Sequence, residues 1–114
     1  MTLHIPRGPY LDRLPGIPTI RPFEALACGV PLLSTPWEDR EGLFREGQDY
    51  LLVHSPAEMR EQMLRLARDE EARMRLAENG LETIRSRHTC DHRAEELEAI
   101  VEEAETKVAV RAAI

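Results

Sequence analysis

An α/β fold of short parallel strands followed by helices is predicted by three features of the 114-residue sequence. Residues 22–34 read as a short helix that ends in glycine and runs straight into an apolar strand. A second apolar run, Tyr50-Leu51-Leu52-Val53, follows after a loop. From Ser55 onward the apolar residues keep helical spacing. A helix that feeds at once into a buried strand is the second half of a strand–helix–strand unit, the connection that parallel strands require.

Leu3-His4-Ile5 suits a short first strand. Pro6, Gly8, Pro9, Pro15, Gly16 and Pro18 make the rest of residues 1–18 read as an irregular loop, of a kind that can wrap a ligand. In the next segment Phe23, Leu26 and Ala27 recur at helical spacing. Pro22 falls in the first turn, where its missing N–H costs nothing, and Gly29 supplies the left-handed residue that stops the helix. Pro31, Leu32 and Leu33 suit a parallel strand covered on both faces. A loop from Pro36 to Gly47 and the strand Tyr50 to Val53 complete a middle zone of residues 19–54.

Residues 55–114 are predicted to be helical. Ser55-Pro56-Ala57-Glu58 is a capping box with proline at the first helical position, and Met59, Met63, Leu66 and Ala67 form the inward stripe of a helix reaching about Arg68. A helix over Glu70 to Asn79 is expected to end at Gly80, with Leu81 and Ile84 anchoring a further turn or two. Thr89 then caps a final helix that carries Ala94, Leu97, Ile100, Val101, Ala104 and Val108 on one face. The arginines and glutamates from Arg60 to Glu105 read as solvated helix faces with weak i,i+4 pairs and no chemistry.

A net charge of −6, from 21 acidic and 15 basic residues, argues against a nucleic-acid or anionic-membrane surface. No apolar run approaches the ~20 residues that cross a bilayer, and Met1 to Gly8 lacks the apolar core of a signal peptide, so a cytoplasmic location is expected. Cys28 and Cys90 have no metal or redox spacing and are expected to be buried or half-buried thiols. His88, Cys90 and His92 lie two apart, but Thr89 as a cap leaves His88 outside the helix and spoils a metal geometry. No metal or cofactor is expected. His4 and His54 follow strand-like runs whose ends line the crevice of an open α/β sheet, where either could touch a ligand, but surface or packing roles are the expectation for both. Trp37, Glu38 and Asp39 after the strand read as a plain loop or as an aromatic and carboxylates that meet a sugar or base.

Glu24 is placed by this reading in the first helical turn, where unpaired N–H groups attract an anion beside a carboxylate able to accept from hydroxyls. A sugar nucleotide offers both groups. The same carboxylate also suits the helix dipole alone.

The run Thr19-Ile20-Arg21-Pro22-Phe23-Glu24-Ala25-Leu26-Ala27-Cys28-Gly29-Val30-Pro31 resembles the donor-site segment of GT-B glycosyltransferases, closest to their CgeB-like spore-maturation branch. Glu46 to Val53 resembles that fold's next loop and strand, and His88 to Ala94 the start of its closing helix, so the resemblance covers about residues 17–100. It implies a partial Rossmann-like, C-terminal donor-binding domain. Donor binding would then fall to Glu24, Arg21, Thr19 and Phe23, with no catalytic residue assigned. By resemblance Glu24 grips the nucleotide ribose hydroxyls and Arg21 faces the donor diphosphate, where a guanidinium fork suits phosphate oxygens. Thr19 and the N–H groups beside it add a phosphate cradle or serve as a plain N-cap. Many retaining GT-B enzymes carry a second glutamate eight positions before the one matching Glu24, and this chain has Gly16 there. The CgeB-like branch relaxes the same position.

The resemblance implies transfer of a sugar from a nucleotide donor to a hydroxyl acceptor without a bound metal. A whole GT-B enzyme has two Rossmann-like domains, so this chain is expected to be part of the second and not to turn over alone. A missing N-terminal domain or subunit, or a second copy, is the expected partner. Two other classes fit the same residues: a sugar-nucleotide epimerase, which an assay for epimerised product separates from transfer, and a non-catalytic self-associating domain, which gel filtration detects.

Overall fold

The computed structural model describes residues 1–113, apart from the side chain of Tyr10. Three short strands, β1 (Thr2–His4), β2 (Leu32–Ser34) and β3 (Leu51–Leu52), form one parallel sheet in the order β1-β2-β3. In register, Thr2, Leu3 and His4 lie beside Leu32, Leu33 and Ser34, and Leu33 and Ser34 lie beside Leu51 and Leu52. The chain is thus α/β, three parallel strands followed by C-terminal helices, as the sequence predicts and consistent with part of a Rossmann-like fold.

β2 is buried on both faces because successive side chains point to opposite sides. Leu32 joins Ala25, Leu26, Phe44, Tyr50 and Ile84 on one face, whereas Leu33 joins Val53, Met59, Leu66 and Leu76 on the other. Burial of each such leucine contributes roughly 1.5–3 kcal/mol. The helices that supply these layers are α2 (Ile20–Ala27), α3 (Pro56–Arg68) and α4 (Glu70–Arg87). β1 has a paired strand on one side only, and Leu3 and Ile5 remain exposed there.

The link from β2 to β3 is a loop held by two aspartates. Asp39 accepts from the N–H groups of Leu43 (2.9 Å) and Phe44 (3.0 Å), and thereby delivers both side chains into the core. Asp49 is fully buried and accepts from the Arg45 backbone N–H at 2.8 Å and from its guanidinium at 2.8 and 3.1 Å. Asp39 is therefore a loop-builder, in keeping with the plain reading. Glu38 pairs with Arg40 in solvent, and Trp37 packs half-buried on the core.

Several helix signals act as expected. Gly29 has φ +63° and ends α2. Ser55 accepts from the Glu58 N–H at 3.1 Å, with Pro56 opening α3. Thr89 and His92 cap one another reciprocally at the start of α5 (Cys90–Ala112).

Four expectations are corrected. Residues 6–18 are not wholly irregular: α1 spans Gly8–Arg13, because Pro9 falls in its first turn, where no N–H is needed. Gly80 does not end a helix but sits buried within a continuous α4, against Leu26. On α3 only Met59 and Leu66 of the expected stripe are buried, since these two, seven residues apart and so on one line of the helix, meet Leu33, Val53 and Leu76; Met63 and Ala67 are exposed. Cys28 and Cys90 are exposed, because the first caps α2 and the second opens α5, both at helix ends away from the core.

Candidate functional site

An open cleft of about 610 Å³ lies at the C-terminal end of β1, walled by the β1–α1 connection, residues 14–19 and the first turn of α2. Leu3, Ile5, Leu14, Ile17 and Ile20 make it apolar, and Arg7, Arg21, Thr19 and His4 supply its polar groups. In open parallel sheets the crevice beyond the strands' carboxyl ends is where ligands bind.

At its base, His4 is 4% exposed and both ring nitrogens are engaged. Nδ1 lies 2.8 Å from Ser34 Oγ and Nε2 lies 2.9 Å from Thr19 Oγ1. Ser34 meets His4 because the two are register partners on adjacent strands. The Trp37 ring stands edge-on to the imidazole, 6.1 Å between centroids. Burial, and then the positive charge of Arg21, push the His4 pKa below the ordinary 6.5, since both disfavour the imidazolium.

Thr19 occupies the N-cap position of α2, yet its side chain caps no helix N–H. The hydroxyl turns to His4 instead. Proline at the third position of α2 has no N–H, so the groups left without a side-chain cap are those of Ile20 and Arg21, at the cleft wall.

The other residues of the expected donor set sit outside this wall. Glu24 is exposed and belongs to the second turn of α2, not the first, because the helix opens at Ile20; the first turn holds no acid. It lies three and four residues beyond Arg21 and Ile20, the spacing of neighbours on one helix face, but it does not line the cleft. Phe23 is half-buried and packs on the core, with its ring centroid 5.0 Å from that of Phe44 and 5.4 Å from that of His88. Thr19 and Arg21 are thus brought together at the cleft, and Phe23 and Glu24 are not.

Gly16 has φ +80°, and a Cβ there would stand 2.6 Å from Cδ of Arg40. A side chain at this position meets backbone strain and the Arg40 stem together, so no glutamate fits without rearrangement.

The remaining histidines have structural partners or lie in solvent. His88 Nε2 donates to the Leu43 carbonyl at 2.9 Å, which ties the β2–β3 loop to the end of α4. His92 serves the cap of α5, and His54 is exposed. Among the described residues, no group of three or more His, Cys, Asp or Glu side chains converges to hold a metal ion. Among the same residues, no helix is long and apolar enough to cross a membrane.

Sequence reasoning alone passes over Arg7 and the His4–Ser34–Thr19 chain. The partners lie 30 and 15 residues away from His4; strand register brings Ser34 to it, and the start of α2 brings Thr19.

No curated protein and no solved structure matches the chain. A family model does match, over residues 1–99, which include all three strands and the cleft: the chain belongs to the glycosyl transferase-like family.

Proposed function

We propose that the chain is the donor-binding part of a glycosyltransferase that moves a sugar from a nucleotide-sugar to a hydroxyl acceptor. The observation that carries this reading is the cleft, in which the uncapped start of α2 and the side chain of Arg21 converge at the carboxyl end of β1. Backbone N–H groups at a helix start and a guanidinium are the donors that a diphosphate needs. They also stabilise the charge that grows on a diphosphate as it leaves the sugar. Arg7, which also lines the cleft, supplies a second cation, and the apolar lining side chains offer a surface for a base or a sugar face. Glu24, exposed one helical turn beyond Ile20 and Arg21, accepts from hydroxyls of a ligand that extends past the cleft wall.

Among the cleft-lining residues none offers a free base, because His4 spends both nitrogens on hydroxyls. The group that deprotonates the acceptor is accordingly assigned to a second domain or subunit, and the chain alone is expected to bind without turnover.

Titration with UDP and with GDP, followed by amide NMR, tests the reading. Shifts are expected first at Arg7 and residues 19–24, and Arg21→Gln should weaken them. Glu24→Gln should lower affinity by roughly 1.5–3 kcal/mol, the worth of a hydrogen bond to a charged group. Its effect on folding should be small, since the helix-dipole contribution fades beyond the first turn. Shifts confined to α3, α4 and α5 would overturn the assignment.

A further inference from the structure

The hydrogen-bond chain at the base of the cleft has a direction, and the direction follows from its far end. Ser34 Oγ lies 2.8 Å from the Thr35 carbonyl oxygen, which can only accept. The single Ser34 proton is therefore committed to that carbonyl. Ser34 Oγ must then accept from His4, so Nδ1 carries the imidazole proton. In the neutral ring Nε2 is an acceptor, and its partner at 2.9 Å, Thr19 Oγ1, must donate to it. The neutral form is the one favoured by a nearly fully buried ring beside Arg21.

Thr19 consequently has no proton left for the cleft. Thr19 is a half-buried residue of the cleft wall, and its oxygen offers lone pairs only. We infer that His4 is a positioning residue that fixes Thr19 as a hydrogen-bond acceptor, so that this point of the cleft selects a ligand hydroxyl rather than a phosphate oxygen. The inference rests on the reading of the cleft as a donor site, and it divides that site in two. Phosphate oxygens go to Arg21 and the start of α2, and a hydroxyl of the ribose or of the sugar goes to Thr19. The Thr19 contribution to a phosphate cradle, expected from the sequence, is replaced by this one.

Nitrogen-resolved NMR of the His4 ring tests the first half without any ligand. A proton on Nδ1 and a bare Nε2 at neutral pH are expected, and the opposite tautomer would overturn the inference. The second half is tested by binding of three probes: UDP, its 2′,3′-dideoxy analogue, and UDP-glucose. Thr19→Val keeps the shape and removes the acceptor. It should weaken UDP by roughly two- to ten-fold and leave the dideoxy analogue unchanged if the hydroxyl is on ribose. If the hydroxyl is on the sugar, only UDP-glucose should weaken. Equal loss for all three probes would show that Thr19 does not read a hydroxyl.

His4→Asn keeps a donor towards Ser34 and loses the acceptor that holds the Thr19 proton, so discrimination between hydroxylated and dideoxy probes should fall. His4→Gln reaches Thr19 with an amide oxygen and should restore it, a rescue that a packing role alone would not produce. Absence of binding by every probe would overturn the donor-site reading, and with it the ligand half of this inference. The tautomer would still decide the role of His4.

Discussion

A Cβ built on Gly80 would stand 2.6 Å from Cδ2 of Leu26 and 3.3 Å from the carbonyl oxygen of Asp49. Glycine is thus what lets α4 close on α2, and α2 carries the wall of the cleft. Leu26 is 1% exposed and has little room to turn away.

Gly80→Ala should therefore destabilise the protein, although alanine is the better helix former by about 1 kcal/mol. Overpacking of a filled core costs typically about 1–3 kcal/mol, and the fixed backbone oxygen of Asp49 sets a second limit. With both neighbours confined, overpacking falls in the upper part of that range, about 2–3 kcal/mol, so the net expectation is a loss of about 1–2 kcal/mol, read by urea denaturation. An unchanged or raised midpoint would mean that α2 and α4 separate freely.

Asp49→Ala should cost about 1.5–3 kcal/mol, the range for hydrogen bonds to a charged group. The carboxylate is buried and holds both the backbone and the guanidinium of Arg45. That guanidinium reaches on to Thr83 Oγ1 at 2.9 Å, so the loop should also loosen from α4. Faster amide exchange at residues 43–50 is the accompanying sign. Protection equal to that of the wild type would show that the loop does not depend on this pair.

What the sequence discloses here depends on distance along the chain. The stop at Gly29, the cap at Ser55 and the cap at Thr89 are local chemistry, and each acts where it is expected. Gly80 misleads because a glycine at a helix end and a glycine at a helix crossing look alike until Leu26 is in place. Residues 6–18 mislead because proline density rules out interior helix positions but not first turns. At the site, Thr19 and Arg21 are legible because they lie within one segment. The pairing of His4 with Ser34 is not, since strand register alone brings the two together, nor is the place of Arg7 on the β1–α1 connection. Glu24 is legible as an exposed acid on α2, while its turn depends on where the helix opens.

His4 should make folding sensitive to mild acid. Burial first, and Arg21 second, hold its pKa below the ordinary 6.5, so the unfolded chain takes up a proton more readily than the folded one. Stability is therefore complete above that value and declines as the pH falls through and below it. Denaturant midpoints measured from about pH 7 down to about pH 5, above most carboxylate titration, should show this decline, and His4→Gln should flatten it. A slope that survives the substitution would assign the effect to other groups.

The stripe of α5 should be covered by a second copy of the chain. Leu97, Ile100, Val101 and Val108 are 62%, 62%, 46% and 67% exposed, and no residue of this helix is buried. Isolated helices gain little from propensity alone and depend on packing for most of their stability. Ala94, Leu97, Val101, Ala104 and Val108 alternate at spacings of three and four, the seam of a two-stranded pair. A parallel arrangement sets Arg93 against Glu98 of the other copy, whereas an antiparallel one sets Glu98 and Glu105 against glutamates. Light scattering should thus show mass rising with concentration. Leu97→Ser with Val101→Ser should hold the protein monomeric, and the body should melt as before, since exposed positions usually change stability by less than about 0.5 kcal/mol. A wild-type protein that stays monomeric at high concentration would show that the stripe is stable in water, or is reserved for a different partner.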